Sequence, residues 1–387
     1  MESYDAIVIG GGIIGTATAY YLSKLKAKTL LLEADSLGCG SSGACDGFVI
    51  MQSKAPGPHL KMALASEELY RTLGDELDWD IEYENCGGMI VIETPREFAA
   101  MKTFMEKQRE AGLDVELIDG ETARKLEPAL APHIIGATVS KRDGQINPMR
   151  LVNGYTRAAL RMNMEIKRHH KTVGFITGGE KVTGVKTNKG DFFADKVICC
   201  TGVSAPELMK TIGIELPVRP RRGQLIAAEP VERIIKRVML CARYIAAKYH
   251  PELLENSRDE SIRLGVGMAL EQCRNGGLLI GATREFVGFN RNTTYDGIRS
   301  VANHAARMVP ALKQIRAVRV FAGLRPYTPD GKAFMGTVPG YEGLYVAAGH
   351  EGDGIAYSPI TGKIMAELMM TGNTSVDLEP FSLSRFH

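Results

Sequence analysis

Gly10, Gly12 and Gly15 form GxGxxG in the stretch AIVIGGGIIGTATAYYL, and Glu33 follows Gly15 by eighteen residues. At this spacing the first glycine permits a tight strand-to-helix turn. The second lets backbone approach a pyrophosphate, and the third lets the helix pack closely on the strand. A carboxylate some ~20 residues further on accepts ribose hydroxyls. The free N–H groups and partial positive charge of a helix N-terminus would face the pyrophosphate. The chemistry these residues serve is therefore dinucleotide binding. Cys39, Cys45, Cys86, Cys199, Cys200, Cys241 and Cys273 are odd in number, and no CxxC pair occurs. They are read as reduced thiols, mostly buried, with no metal site and no iron–sulfur cluster in this chain. Cys39 and Cys45 flank a small-residue segment, GCGSSGACDGF, where backbone can approach a ligand.

The elements that must position these residues follow from periodicity. Residues 6–9 and 29–32 read as buried parallel strands, with a helix over 16–25 between them. Glu33 ends the second strand, completing a βαβ unit. Further helices are expected over 58–73, 95–111, 149–162, 295–308 and 359–370, and strands over 86–94 and before the Asp143–Gly144 turn. Residues 165–202 read as a β-meander that returns to a buried strand at 196–200, and residues 217–290 as strands alternating with loops. A last strand runs from 343 into the glycines of GHEGDGI. Both ends of the sequence thus carry a strand–glycine–helix unit. The expected fold is α/β: a Rossmann-type dinucleotide-binding domain with an inserted, mainly antiparallel β-sheet plus helix substrate domain. The first is expected over 1–82, 143–216 and 320–387, the second over 83–142 and 217–319. Ligands in such sheets sit at the carboxyl ends of strands, which gathers the Gly10 turn, Gly202 and the 349–354 loop.

Composition narrows the function classes. The chain has 387 residues, 44% hydrophobic and 24% charged, and a net charge of +2, so no electrostatic case exists for nucleic acid or an anionic membrane. No apolar run approaches the ~18 residues of a membrane span. A core strand begins almost at once, so no signal peptide is expected and a cytoplasmic location is.

Beyond the first motif the sequence resembles the D-amino-acid oxidase-type flavoproteins. The resemblance is carried by DGQINP (143–148), VICCTGVSAPEL (197–208), PVRPRRGQL (217–225), GLLIGATRE (277–285), FAGLRPYTPDGKAFMG (321–336) and LYVAAGHEGDGIAYSPITGKI (344–364). It is nearest the glycine and sarcosine oxidases, the catalytic subunits of dye-linked proline, hydroxyproline and opine dehydrogenases, and hydrogen cyanide synthase.

The resemblance implies FAD as the dinucleotide. Gly10, Gly12, Ile13, Ile14 and Gly15 would hold its diphosphate, with Ser41, Ser42, Thr201 and Gly202 nearby. Glu33 and Ala34 would meet the adenosine ribose, and Val173 the adenine. Cys45, Asp46 and Gly47 would run along the flavin. Gly349, His350, Glu351, Gly352, Asp353, Gly354 and Ile355 would approach its pyrimidine edge. Arg325, in GLRP, would hold the substrate carboxylate, since a planar guanidinium meets a carboxylate with two parallel hydrogen bonds.

Some family features are missing. No cysteine lies in 321–336 and no histidine near the glycines after Glu33, so the flavin is expected to be non-covalent. Ala269 stands near the place of a substrate tyrosine. His350 and Tyr244 are secondary substrate candidates. His169 and His170 are expected in solvent, and RPRRGQ as a strand crossing between domains.

The implied reaction is oxidation of an α-amino acid (proline- or hydroxyproline-like, an opine, or glycine- or sarcosine-like) to its imino acid by hydride transfer to flavin N5. The expected setting is an oligomeric dehydrogenase complex whose partner subunits carry further redox centres. Alternatives are a peroxide-forming oxidase, a 2-hydroxy-acid dehydrogenase, and a non-catalytic electron-transfer subunit. A hydroxy acid would need a general base, and none stands out.

Overall fold

The computed structural model describes residues 3–249 and 259–386. Its first sheet is centred on Ser3–Ile9, which runs parallel to Thr29–Leu32 on one side and Gly190–Cys199 on the other. Glu165–Lys167 extends it beyond Thr29–Leu32, and Tyr341–Ala348 runs parallel to Gly190–Cys199. Ile7, Val8, Leu30, Leu31, Val197, Ile198, Leu344 and Val346 are all fully buried, as expected of strands covered on both faces. The meander is present: Thr172–Gly178 pairs with Lys181–Thr187, which pairs with Gly190–Cys199, both antiparallel.

Helix Ile13–Lys24 packs on this sheet beside Gly354–Thr371. A Cβ on Gly362 would lie 2.7 Å from the Ala17 carbonyl carbon, so only glycine admits this crossing. Both helices start earlier than periodicity suggests, because each begins directly from its glycine turn. The second has Pro359 inside it. Proline cannot donate to the carbonyl four residues back. That carbonyl, Ile355 O, instead accepts the Tyr70 hydroxyl at 2.6 Å. Tyr70 stands on helix Pro58–Leu77, one turn longer than its apolar pattern indicates.

The second sheet runs in the order Ala317–Tyr327, Arg219–Ala228, Leu278–Gly281, Ala269–Gln272, Val238–Cys241, Gly88–Ile92, Gly136–Ser140, Glu116–Asp119. Its neighbours are antiparallel except Val238–Cys241 beside Gly88–Ile92. Helix Tyr295–Met308 buries Val301, Ala305 and Met308 in this sheet's apolar cluster. Residues 242–249 and 260–263 are helical rather than strand or loop. Ala242 and Ile245, three apart and both buried, give the first of these its inward face.

The two longest strands of this sheet, Arg219–Ala228 and Ala317–Tyr327, pair along their whole length with Gly223 opposite Gly323 and Arg221 opposite Arg325. The first sheet resumes at Phe334, so Arg325 reaches the space between the sheets from the second one.

Candidate active site

The glycine turn has the geometry its spacing predicts. Gly10 sits at φ +106°, and a Cβ there would lie 2.7 Å from the Cys200 carbonyl oxygen. A Cβ on Gly15 would lie 1.8 Å from the Gly10 carbonyl oxygen, so this glycine serves the helix–strand contact and not the ligand. Gly12 differs: a Cβ there meets only the Ser42 hydroxyl, at 3.3 Å. Its open side faces a cavity of about 510 Å³. At the helix start the Ile13 N–H donates to Ser42 Oγ at 2.9 Å. The Glu33 carboxylate accepts the N–H groups of Gly11 and Asp35, both at 2.7 Å.

The cavity runs from the end of the second strand to Arg325. Glu33, Ala34, His170 and Val173 line one end. Gly10, Gly12, Ile13, Ile14, Ser41, Ser42, Thr201 and Gly202 line the middle. Cys45, Asp46, Tyr244, Arg325, Gly349, His350, Glu351, Gly352, Gly354 and Ile355 line the rest. Gly15, Gly47 and Asp353 stand behind this wall. Gly47 packs on the Ile146 carbonyl, and Asp353 is ion-paired with Lys54 at 2.7 Å, both side chains buried. His169 is exposed, but His170 is half-buried and helps form the wall, because its N–H donates to the Glu33 carbonyl.

A long cleft with a glycine cradle, an N-terminal helix turn and a carboxylate at the second strand fits FAD. The Ser41 hydroxyl donates to the Leu324 carbonyl, joining the cradle to the Arg325 strand.

The opposite end is defined by arginines. Arg221 is buried in an ion pair with Glu351, and Arg222 is paired with Glu285 at 2.7 Å. Asp330, the acid nearest Arg325 in sequence, binds Arg385 at 2.9 Å instead. Arg325 makes no ion pair among the described residues. Its Nη1 donates to the Thr283 carbonyl at 3.0 Å. The guanidinium lies flat on Gly223, where a Cβ would be 2.2 Å from Nη1. The partner glycine of that pair, Gly323, admits the Ala44 carbonyl, 2.1 Å from where its Cβ would be. The two glycines thus bring the Ala44–Gly47 backbone and the guanidinium to one place.

Around them lie two carboxyls. Burial pushes the Asp46 carboxyl above its ordinary range, against the pull of Arg325. Glu271 reaches from the second sheet and accepts the Gly47 N–H with both oxygens at 3.0 Å. Burial, and then Asp46, push its carboxyl well above the usual range. Burial also pulls His350 down to about 4, leaving a neutral ring at pH 7, in contact with the Thr361 hydroxyl. The Cys45 thiol is pushed well up by burial, so it is not a thiolate at pH 7. Tyr244 is buried with its hydroxyl near Gly352. No group of three or more His, Cys, Asp or Glu side chains among the described residues could hold a metal ion.

Sequence reasoning missed Arg221, Glu271 and Arg284, all buried charges around this end. Arg221 was legible only as part of a basic run. Glu271 lay in no motif, and Arg284, though inside GLLIGATRE, was not singled out, since a charge inside a strand-rich segment usually faces solvent.

Comparison with known proteins matches this geometry. Residues 5–368 match the family model described as FAD dependent oxidoreductase, DAO. The hydrogen cyanide synthase subunit HcnC of Pseudomonas protegens is 30% identical, the alignment covering 100% of this chain and 97% of that protein. The crystal structure of glycine oxidase from Geobacillus kaustophilus superposes with a TM-score of 0.89 at 27% identity, covering 100% of this chain and 99% of that one. The L-proline dehydrogenase of P. horikoshii superposes with a TM-score of 0.89 at 25% identity, covering 100% and 98%.

Proposed function

Because this chain belongs to the DAO family of FAD-dependent oxidoreductases, acting on CH–NH donors, we propose that it oxidises a small primary or secondary α-amino acid, of the proline, hydroxyproline, opine or glycine type, to the imino acid and passes the electrons to a partner protein. The observation that carries the substrate reading is Arg325, a cation with no acid partner among the described residues, at the end of the cavity. FAD, when bound, supplies the hydride acceptor.

The residues of this chain do the rest. Gly12, Ile13, Ser42 and Glu33 would hold the dinucleotide, and the loop 349–354 with the N-terminus of helix Gly354–Thr371 would face the isoalloxazine. Arg325 binds the substrate carboxylate with two parallel hydrogen bonds, which fixes orientation as well as position. Thr283 and Gly223 hold the guanidinium in place for this. Asp46 lines the same cavity and would face the substrate's amino group, taking up its proton or balancing its charge. Delivery to a partner is supported by the relative HcnC, named as a subunit of hydrogen cyanide synthase. No helix of the described residues is long and apolar enough to cross a membrane.

The test is direct. The purified yellow protein is mixed anaerobically with primary and secondary amino acids of both configurations, and flavin bleaching is recorded. Oxygen is then admitted. Bleaching by such acids, with slow reoxidation in air and fast reoxidation by an artificial dye, is the expected result. Fast reoxidation with stoichiometric peroxide would replace the partner protein with oxygen. No bleaching by any primary or secondary amino acid would remove the substrate assignment.

A further inference from the structure

Arg284 is 7% exposed, and Nε, Nη1 and Nη2 all lack a hydrogen-bond partner among the described residues. Among the described residues, its neighbouring acids Glu285 and Glu351 are already engaged: Glu285 by Arg222, Gln224 and Thr283, and Glu351 by Arg221. Burial disfavours its charged form, as do Arg325 and Arg221, while Tyr244 and, more weakly, Glu351 oppose them. A buried cation without a counter-ion is among the most unfavourable arrangements in a folded protein. Part of the cost is offset by the Tyr244 ring, whose centroid lies 3.9 Å from the guanidinium carbon. That ring also lines the cavity, and its hydroxyl lies near Gly352 together with Arg325. The orphan guanidinium is therefore one aromatic ring from the substrate space, beside the carboxylate-binding arginine. The Tyr244 hydroxyl has no hydrogen bond among the described residues, so nothing polar pins the ring over Arg284.

Resting on the amino-acid reading above, we infer that the substrate is dicarboxylic: Arg325 takes the α-carboxylate, and Arg284 answers a second carboxylate carried on the side chain or on the nitrogen substituent. A neutral side chain would leave the Arg284 guanidinium uncompensated, while a second carboxylate supplies the counter-charge that no described residue provides. Discrimination then comes from the penalty of leaving a buried charge unpaired.

The test compares matched pairs on the holoenzyme: glutamate against glutamine in both configurations, and N-carboxymethylglycine against sarcosine, by anaerobic flavin reduction. The best dicarboxylate should exceed its neutral partner at least tenfold in kcat/KM. In Arg284→Gln that ratio should fall at least tenfold, mainly through KM, and Arg284→Lys should restore part of it. Flavin content and thermal midpoint monitor folding; should Arg284→Gln not fold, the ratio in the unaltered protein and in Arg284→Lys decides. Equal or better use of the neutral partners, or a Gln variant that loses both alike, overturns the inference. If none of these acids bleaches the flavin, the amino-acid reading fails separately, and perturbation of the flavin spectrum by succinate against butyrate still judges the acid site. Succinate binding at least tenfold tighter, and only with Arg284 present, supports it; equal binding overturns it.

Discussion

Arg221 and Arg325 stand directly opposite on paired antiparallel strands, and among the described residues only Arg221 is paired with a carboxylate. Like charges at that spacing repel. Glu351 removes the repulsion by neutralising the deeper guanidinium, which leaves Arg325 charged and open on the cavity side. Two charge-assisted hydrogen bonds to a substrate carboxylate contribute about 3 kcal/mol or more. Arg325→Ala should therefore raise KM by about 100-fold or more with flavin content unchanged. Arg325→Lys should recover little, because an ammonium lacks the fork. Steady-state kinetics beside an absorbance ratio checks both; wild-type KM in the Ala variant would dismiss the clamp.

Glu351 has the opposite role and a different signature. Glu351→Gln leaves Arg221 as a buried cation, which costs about 3–5 kcal/mol. The expected readout is a lowered urea midpoint at constant slope. Replacing both, Arg221→Met with Glu351→Gln, should recover much of that loss, because the unpaired charge and not the missing bond is what destabilises. Additive losses would contradict the account.

The glycines separate folding from cofactor binding. Gly15→Ala places a methyl 1.8 Å from the Gly10 carbonyl oxygen, so helix and strand must part and the chain should misfold. Gly12→Ala meets only Ser42 Oγ at 3.3 Å, so the fold should survive. Its methyl instead enters the space of the pyrophosphate. Expected results are insoluble or unstable protein for the first, and soluble, folded, colourless protein for the second. Circular dichroism and flavin absorbance distinguish them, and full flavin content in Gly12→Ala would place the diphosphate elsewhere.

These glycines show what could be read from the sequence. Their roles depend on local spacing, and so did the strands beside them and the meander, whereas the strand Ala317–Tyr327 that carries Arg325 was not read from spacing. What could not be read depended on long-range pairing. Pro359 looks like a helix start until Tyr70, 285 residues from Ile355 in sequence, is seen to satisfy Ile355 O. Arg221, Arg284 and Glu271 look like surface charges until the second sheet folds them inward. Local periodicity carries no information about which buried charge finds a partner, and that distinction separates Arg221 from Arg284.

Asp143 gives a pH dependence with a definite sign. It is fully buried, and Gly88 must be glycine to admit it, since a Cβ there would lie 2.3 Å from Oδ2. Burial pushes its carboxyl up to about 6, although hydrogen bonds from the Gln52 side chain and the Met51 N–H, both at 2.6 Å, favour the charged form. In the unfolded chain the same carboxyl titrates near ~4. Between about pH 4 and about 6 the native state therefore binds the extra proton, so this group's contribution to stability falls as pH rises through that window and stays constant above it. The loss amounts to about 3 kcal/mol. Asp143→Asn is neutral throughout and removes the slope. The Gln52 Oε1 atom has no partner among the described residues, so turning that amide would give the introduced side-chain NH₂ an acceptor. Urea unfolding of both proteins from about pH 4.5 to 8 should show the Asn variant gaining on the parent as pH rises, by up to about 3 kcal/mol. Taking the difference cancels other titrating groups such as His304 and His350, so curves that stay parallel would mean that Asp143 remains ionised in the native protein.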